Sequence, residues 1–392
     1  MQVLEREIPG ALQVDWQFSE RIVRAGGDKL SLCFQCKTCT GSCPSALASD
    51  FRIAKVVRMA RLGLRTRLLR GDLVWKCTLC DKCRVRCPEG VDIPGVVKAL
   101  RALMLERGGI PEAVFLAESA IWENKNVFAM DPASRMDWVD YTGAEPQVKD
   151  TADLVYFVGC VTSYSGRAQD IAHAVSSILN GVGEDWTLLK DEWCCGHPLA
   201  LTGGEGRIKQ TAKHNVEVIE AAGASRVVTG CPGCYLELAH AYPKVLGRAP
   251  RFEVLHITQL LDRYVQRGLL EMKQFDEKLT YHDPCELGRI GGVFQEPRNV
   301  MGSFCTSFFE PVENLENSNC CGAGGFVKGV DLPLASTLAD MRLEAMAATG
   351  AEVVVSACPS CYQNLLEASQ RKGNMVRVLD LSELVAQRAG LD

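Results

Sequence analysis

The spacing of apolar residues divides the chain into two parts with different predicted structure. From residue 153 onward, short runs rich in β-branched residues are typical of buried strands, at 154–158, 226–230, 279–282 and 352–357. Patterns with helical periodicity follow them near 166–180, 206–222, 334–349 and 360–370. Strands that alternate with helices predict an α/β fold with a mainly parallel sheet.

The N-terminal part is predicted to be helical. The apolar positions that recur at helical spacing between residues 51 and 71 are Ile53, Val56, Val57, Ala60 and Leu64. We expect Asp50 to cap this helix and Gly63 or Gly71 to end it. A second helix is predicted over 94–107, with Pro94 near its start. Residues 131–152 are rich in Asp, Pro, Gly and Glu and are predicted to be a linker.

The α/β part repeats itself. The segment VVTGCPGCYLEL at 227–238 matches VVSACPSCYQNL at 354–365, and EWCCGHPLALTGG matches SNCCGAGGFVKG. Corresponding cysteines are 125 to 127 residues apart, as in the pairs 160 and 285, 194 and 320, and 231 and 358. Internal similarity at a fixed offset indicates a duplicated structural unit. We therefore predict two copies of one α/β unit, related by a pseudo-twofold axis.

Composition and charge restrict the functional classes. The chain has 392 residues, 19 cysteines and a net charge of −5. This length suits two or three domains, and the charge gives no electrostatic reason to expect nucleic acid as a partner. We see no secretion signal and no apolar run of about 18 residues, so we expect a cytoplasmic protein whose membrane links, if any, are made through a partner. Cytoplasmic CxxC pairs favour metal or redox chemistry over a disulfide scaffold.

Two cysteine runs near the N-terminus share one spacing. Both CFQCKTCTGSCP and CTLCDKCRVRCP read C-x2-C-x2-C-x3-C-P, the bacterial ferredoxin spacing in which the fourth cysteine ligates the other cluster. The runs predict two cubane [4Fe-4S] clusters, one bound by Cys33, Cys36, Cys39 and Cys87 and the other by Cys77, Cys80, Cys83 and Cys43. A zinc ribbon is the alternative, but two complete four-cysteine runs fit iron–sulfur chemistry better.

Each α/β copy carries five further cysteines: one after a strand, an adjacent pair before glycine, and a CxxC. The two sets are Cys160, Cys194, Cys195, Cys231 and Cys234, and Cys285, Cys320, Cys321, Cys358 and Cys361. A cubane cluster needs four thiolates, so a fifth thiolate and an adjacent pair indicate a bridging ligand and a distorted cluster. Structural zinc in one or both copies is the alternative. The remaining Cys305 is interpreted as a small buried hydrophobic residue.

These motifs resemble the duplicated cysteine-rich CCG domain of heterodisulfide reductase catalytic subunits. Relatives with this domain include iron–sulfur subunits of glycolate, lactate and anaerobic glycerol-3-phosphate oxidation. The N-terminal runs resemble the reductase's ferredoxin-like electron-input subunit, and the whole resemblance covers about residues 25–390. It implies a helical two-cluster ferredoxin-like domain followed by two α/β CCG repeats. It also implies a noncubane [4Fe-4S] cluster in each five-cysteine set, and in the family two such clusters split a disulfide between them.

The resemblance also implies how the chain is divided. The expected segments are an N-terminal arm at 1–24, a ferredoxin-like domain at 25–108, a helical segment and linker at 109–152, and CCG repeats at 153–270 and 271–392. No Gly-rich dinucleotide fingerprint follows a strand, so we expect neither NAD nor flavin on this chain.

Two functions are compatible with these observations. The first is an iron–sulfur oxidoreductase subunit of a heterodisulfide-reductase-like complex, which receives electrons from a flavoprotein partner and reduces a disulfide. The second is an electron-transfer subunit without its own substrate, serving a flavin-dependent glycolate, lactate or glycerol-3-phosphate dehydrogenase or a low-potential reductase of the benzoyl-CoA type. Many relatives have histidine where this chain has Glu286, which favours the second function. The two complete five-cysteine sets favour the first.

Other side chains near the cysteines are weaker candidates. Glu286, His197 and His282 lie close to predicted ligands and are candidates for proton transfer or for a hydrogen bond to cluster sulfur, with a structural role as the alternative. Lys328 and Arg289 either bind an anionic substrate or are solvated.

The helix predicted after the first cysteine run is strongly basic. Its cationic residues are Arg52, Lys55, Arg58, Arg61, Arg65, Arg67 and Arg70. This helix is interpreted either as a solvated face or as a docking surface for an acidic redox partner.

Overall fold

The computed structural model describes residues 14–203 and 205–391, so the first 13 residues of the expected N-terminal arm lie outside the described range. A helical N-terminal unit is followed by two units that are each built on a parallel sheet. This arrangement confirms the predicted α/β class. Among the described residues, no helix has both the length and the apolar character needed to cross a bilayer.

The N-terminal unit is built from short helices around one apolar core. Its α-helices are Trp16–Arg24, Thr38–Gly41, Pro44–Ala48, Ile53–Arg61, Arg65–Leu68, Lys82–Val85 and Ile93–Leu105. Ile93–Leu105 confirms the helix predicted over 94–107, with Pro94 in its first turn. Phe18 and Ile22 of the first helix belong to the same core as Trp75 and Leu100. The residues just before the predicted ferredoxin-like domain therefore stabilise that domain.

The basic helix predicted over 51–71 is divided in two in the structure. Ile53–Arg61 ends before Gly63, whose φ of +65° lies in the left-handed region that favours glycine. The cap predicted for Asp50 is wrong, because the Asp50 carboxylate instead pairs with Lys76 Nζ at 3.1 Å. The helix starts without a side-chain hydrogen bond from its N-cap residue.

The segment between the N-terminal unit and the first sheet is more ordered than a linker. It contains the α-helices Glu112–Asn124 and Trp138–Thr142. Trp138 is fully buried in the core of the α/β part, and Arg135 is also buried. Residues 131–142 are thus packed against the fold through Arg135 and Trp138, whereas residues 143–152 contain no helix or strand, as their composition predicts.

The first repeat contains a four-stranded parallel sheet. Its strands are β1 (Leu154–Tyr156), β2 (Trp186–Leu188), β3 (Arg226–Thr229) and β4 (Glu253–His256), in the order β2-β1-β3-β4. Val155 of β1 pairs with Thr187 on one side and Val227 on the other. The surrounding α-helices are Cys160–Tyr164, Gln169–Gly181, His197–Leu201, Lys209–Ala221, Pro232–Leu236, Tyr242–Leu246 and Ile257–Gln266.

The second repeat contains a smaller sheet. Its strands are β5 (Leu279–His282), β6 (Val353–Ser356) and β7 (Arg377–Asp380), in the order β5-β6-β7. Its α-helices are Gln295–Gly302, Val327–Val330, Leu332–Ala347, Pro359–Arg371 and Leu381–Ala389. A single parallel bridge between Leu279 and Phe308 stands beside β5, on the side away from β6. The sequence pattern predicts β1, β3, β5 and β6, whereas β2, β4 and β7 were not predicted.

The two repeats share one hydrophobic core. Tyr156 and Leu255 from the first sheet belong to the same buried cluster as Tyr281 and Val355 from the second. The repeats therefore pack as one body, while the pseudo-twofold axis between them stays a prediction. This shared core fixes how the loops after the strands of one sheet face those of the other.

The N-terminal unit lies directly against the second repeat. A Cβ atom added to Gly325 would lie 2.5 Å from the carbonyl oxygen of Cys77, and one added to Gly324 would lie 3.0 Å from that of Thr78. Lys82 Nζ donates a hydrogen bond of 2.6 Å to Asn319 Oδ1. The loop after the second CC pair is thus in backbone contact with the second ferredoxin-type run.

We expect Gly325→Ala to destabilise the protein more than the control Gly292→Ala. Both glycines have positive φ, +62° and +75°, so either alanine incurs a conformational cost of about 1–2 kcal/mol. A Cβ at Gly292 meets open space, whereas one at Gly325 overlaps backbone atoms, which adds about 1–3 kcal/mol. Urea unfolding under anaerobic conditions measures the difference, and equal losses for the two variants would contradict a tight interface at Gly325.

Candidate iron–sulfur sites

The first N-terminal site combines cysteines from both ferredoxin-type runs. A small cavity is lined by the sulfur-bearing residues Cys33, Cys36, Cys39 and Cys87. Cys87 belongs to the second run and is brought to the first by the chain fold. Burial raises the pKa of the Cys39 thiol to about 11. A thiol in such surroundings loses its proton readily only when a cation compensates the charge.

The second N-terminal site has the complementary composition. Its cavity is lined by Cys43, Cys77, Cys80 and Cys83, so the last cysteine of the first run joins the second run. Burial raises the pKa of Cys43 to about 12 and that of Cys77 to about 11. The two groupings match the crossed pairing expected from the ferredoxin spacing.

The two runs adopt the same unusual backbone conformation. Gln35 and Lys37 in the first run, and Leu79 and Asp81 in the second, all have φ between +54° and +66°. Such left-handed conformations are uncommon for residues other than glycine, and they tend to occur at functional sites. Here they wrap each run tightly enough for three sulfurs at two-residue gaps to face one point.

All ten cysteines of the two CCG sets line a single cavity of about 390 Å³. Cys160 begins the helix that follows β1, and the loops after β3, β5 and β6 supply Cys231, Cys285 and Cys358. These loops lie at the carboxyl ends of parallel strands, where ligand sites of α/β sheets form. The helix Glu112–Asn124 contributes apolar wall residues to the same cavity.

The sulfur atoms in this cavity fit a soft metal centre. The Cys195 and Cys234 sulfurs are 3.3 Å apart, and those of Cys321 and Cys361 are 3.2 Å apart. All nineteen cysteines, which lie within the described residues, are free thiols. Dense, buried thiols that are not paired as disulfides are the donor set preferred by iron–sulfur clusters and by zinc. The residues present therefore fit the metal groups expected from the motifs.

Three side chains in hydrogen-bond contact link the two repeats at the cavity wall. His197 Nδ1 lies 2.9 Å from Glu237 Oε1, and His197 Nε2 lies 2.9 Å from Glu286 Oε1. The first CxxC leaves room for the imidazole, since a Cβ at Gly233 would lie 2.8 Å from its Cδ2 atom. Glu237 and Glu286 each begin a π-helical turn, a feature that often marks functional sites.

The charges of the two carboxylates favour a protonated His197. Burial opposes the charged ring, but the carboxylates of Glu286 and Glu237 outweigh burial and raise the pKa of His197 well above its usual value. Burial also favours a neutral Glu286, yet the His197 imidazolium outweighs it and lowers the pKa of Glu286. A proton-donating Glu286 would need a raised pKa, and the shift here is in the opposite direction. The sequence contained no signal for the part played by Glu237.

A buried ion pair beside the first set was also not predicted. Arg135 Nη1 donates to Glu192 Oε1 at 2.7 Å, and Arg135 Nη2 lies 3.8 Å from the sulfur of Cys160. The Glu192 carboxylate also accepts hydrogen bonds from the backbone N–H groups of Val158 and Gly159. Arg135 lies in the segment predicted to be a linker, and nothing in its local sequence distinguishes it.

The other residues singled out in the sequence differ in whether they line the cavity. Lys328 lines the cavity but pairs with Glu367 at 2.7 Å, and Arg289 is buried and donates to the carbonyl oxygen of Cys80. Arg289 therefore connects two structural units, and it is not among the residues that line the cavity. Cys305 is half-buried against the shared core and is absent from the lining of the three cysteine-lined cavities. His282 is buried beside the second set.

Comparisons with known proteins agree with this division of the chain. The model described as "Cysteine-rich domain" matches residues 154–239 and 279–366, and the model described as "4Fe-4S dicluster domain" matches residues 29–91. These matches confirm that the chain has iron–sulfur domains of the predicted types. A hypothetical protein from Helicobacter pylori has a similar fold, with a TM-score of 0.56 and 11% identity over 88% of this chain and 68% of that one.

Several relatives match most of the chain. It is 34% identical over 394 residues to the D subunit of dihydromethanophenazine:CoB–CoM heterodisulfide reductase from Methanosarcina acetivorans. The alignment covers 93% of this chain and 95% of the relative. It is 27% identical to the B subunit of fumarate reductase (CoM/CoB) from Methanothermobacter marburgensis, with coverage of 91% and 72%. It is 28% identical to EtfAB:quinone oxidoreductase of Syntrophomonas wolfei, with coverage of 85% and 49%.

We expect Cys87→Ala to remove the cluster site that contains Cys33, and Cys43→Ala to remove the site that contains Cys77. The reason is that each of these cysteines lines the cavity of the other run. Iron content and low-temperature EPR of anaerobically purified variants measure the losses. Cys305→Ala serves as the control and should retain all iron. Loss of the same signal in both Cys87→Ala and Cys43→Ala would contradict the crossed arrangement.

Proposed function

Because the chain belongs to the family of heterodisulfide reductase D subunits, we propose that its two CCG repeats together reduce a disulfide inside their shared cavity. The chain is an iron–sulfur oxidoreductase subunit, as its relatives and its domains establish. The proposal is carried by one observation, that both five-cysteine sets line a single cavity. Two sites in separate cavities could pass electrons, but they could not act on both sulfurs of one substrate.

The proposed cofactors follow the four thiol groups. Two cubane clusters belong to the N-terminal sites, and two noncubane [4Fe-4S] clusters belong to the five-cysteine sets. When bound, these clusters supply electrons one at a time and iron that has an affinity for sulfur. Reduction of a disulfide to two thiols consumes two electrons and two protons, so paired sites and a proton source are both required. Zinc in either five-cysteine set is the alternative, and it would leave that set unable to carry electrons.

His197 is the side chain best placed to hold a proton for this reaction. Its Nε2 atom lies 2.9 Å from Glu286 at the wall of the cavity, and both carboxylates beside the ring favour the protonated form. The first repeat supplies this histidine, and Glu286 of the second repeat orients it. We propose that His197 donates a proton to a departing thiolate and that Glu237 holds the ring in place.

Electrons would reach the second CCG set before the first. Arg289 of the second repeat donates a hydrogen bond to the carbonyl oxygen of Cys80, and Gly325 touches the backbone of Cys77. The second N-terminal site is thus in direct contact with the loops that carry Cys285 and Cys320. The shared cavity then brings the first set within reach of the second.

The outer N-terminal site is the proposed point of electron entry. Cys36 is exposed, and the neighbouring Phe34 is 60% exposed. The exposed cationic side chains on or next to the helices Ile53–Arg61 and Arg65–Leu68 are Arg52, Lys55, Arg58, Arg61, Arg67 and Arg70. An apolar residue within a basic surface fits an acidic electron donor, since complementary charge speeds the encounter of redox proteins. We propose that this donor is a flavoprotein.

The central test measures disulfide reduction by the anaerobically purified chain, with reduced methyl viologen as electron donor and the CoB–CoM heterodisulfide as the first substrate. Cys321→Ala should abolish reduction, remove the iron of one five-cysteine set and leave both cubane EPR signals unchanged. Cys305→Ala should behave like the unaltered protein. If Cys321→Ala kept full iron content, or if the unaltered chain contained zinc in both five-cysteine sets, the proposal would be wrong.

The docking surface is tested by reversing charge on the basic helix. The double variant Lys55→Glu, Arg58→Glu should slow the reduction of the cubane clusters by a reduced acidic flavodoxin by about tenfold at low salt. The effect should shrink as ionic strength rises, because salt screens exposed charges. Lys244→Glu, at an exposed position of the first repeat, is the matched control. A rate that is unchanged in the double variant would exclude this surface as the entry point.

A further inference from the structure

His282 is a buried histidine beside the second five-cysteine set. It is the last residue of β5 and only 1% of it is exposed. A ring nitrogen of His282 and the sulfurs of Cys321 and Cys361 all lie within 4.8 Å of one another. No hydrogen bond from His282 Nε2 to these thiols is present, but the ring lies next to the sulfurs of the second set.

A buried arginine fixes the tautomer of this ring. Arg342 Nε donates a hydrogen bond of 3.0 Å to His282 Nδ1, and Arg342 Nη1 donates to the carbonyl oxygen of Glu313 at 2.9 Å. A guanidinium group has only donors, so Nδ1 must be the acceptor in this contact. An imidazole that accepts at Nδ1 carries its hydrogen on Nε2.

The Nε2–H group is left without a partner. His282 Nε2 is buried and makes no hydrogen bond to any of the residues that the structure describes. Leaving a buried donor unsatisfied costs about 1–3 kcal/mol, so a donor in this position normally has an acceptor. The sulfurs of Cys321 and Cys361, which lie within 4.8 Å of a ring nitrogen, can serve as acceptors.

We propose that the Nε2–H group of His282 donates a hydrogen bond to the thiolate sulfur of Cys321 or Cys361 when the second site is loaded, and thereby raises the reduction potential of that site. This inference rests on the proposed function, because it requires a cluster on the second set. A hydrogen bond to a ligand sulfur stabilises the more negatively charged reduced state. Arg342 is a positioning residue, since it acts through the ring.

The first repeat lacks this donor. Cys160 and Cys285 are 125 residues apart, and the same offset places Phe157 at the position of His282. Phe157 is fully buried in the cluster of residues that contains Cys160 and Cys195, and it has no N–H group in its side chain. A buried cation near the first set is Arg135, which approaches the sulfur of Cys160. The two sites therefore differ in the side chains that tune them, although their cysteines are duplicated.

The consequence concerns the order of reduction. The second set contacts the N-terminal unit through Arg289 and Gly325. A raised reduction potential at the second set therefore draws the first electron to the set that contacts the N-terminal unit, from which the electrons arrive.

The test compares potentials by EPR-monitored redox titration of the intact, anaerobically purified protein. His282→Phe, which copies the first repeat, should retain all iron and shift the second-set signal to a more negative potential. We expect a change of about tenfold in the reduced-to-oxidised ratio at a fixed potential, which corresponds to about 59 mV for one electron. His282→Gln, whose amide can donate from a similar distance, should restore most of the shift. Tyr281→Phe, on the same strand, is the matched control and should change nothing.

The outcomes separate this inference from the proposed function. If the unaltered protein lacks iron on the second set, the proposed function itself fails. If that iron is present but His282→Phe leaves the potential unchanged, the hydrogen bond is absent and the inference is wrong. Loss of iron from His282→Phe would also overturn it, because the ring would then be a metal ligand. Equal shifts in His282→Phe and His282→Gln would show that packing, not a donated hydrogen bond, sets the potential.

Discussion

The structure depends on one electrostatic constraint: many sulfur atoms are buried close together, and as thiolates they repel one another unless cations lie between them. Burial and the neighbouring thiols raise the pKa of Cys39 to about 11 and that of Cys43 to about 12. The ten thiols that line the shared cavity also lie close together, and most of them are buried. Metal ions remove this cost, which is why the fold brings the thiols together without pairing them as disulfides.

The fold meets this constraint at the level of the backbone as well as of the side chains. In the N-terminal runs, left-handed conformations at Gln35 and Leu79 turn short loops around a central point. In the repeats, the carboxyl ends of parallel strands carry the cysteines to one edge of each sheet, and the core shared by Tyr156 and Tyr281 holds the two edges opposite each other. Local wrapping therefore builds the N-terminal sites, whereas long-range packing builds the cavity.

Charged and polar side chains then make the duplicated sites different. The hydrogen-bonded side chains Glu237, His197 and Glu286 join the two repeats at the cavity wall. Arg135 approaches the first set, while Arg342 acts on the second through His282. Duplication supplies two similar sulfur sets, and the residues around them assign each set its own environment.

The sequence by itself determined the cysteine groups, the family, the parallel α/β class and the helices whose apolar faces are continuous, because these depend on spacing along the chain. It did not predict β2, which has only three residues, or the burial of Trp138 within a segment of loop-like composition. It also identified His197, Glu286 and His282 as candidate site residues, but it did not decide what each of them does. Only the tertiary structure decided that His197 faces Glu286, that Arg342 orients His282 and that Arg289 connects two units, because each of these contacts joins residues at least 60 positions apart. Hydrogen-bond partners at such separation leave no periodic trace in a single sequence, whereas cysteines that share one loop do.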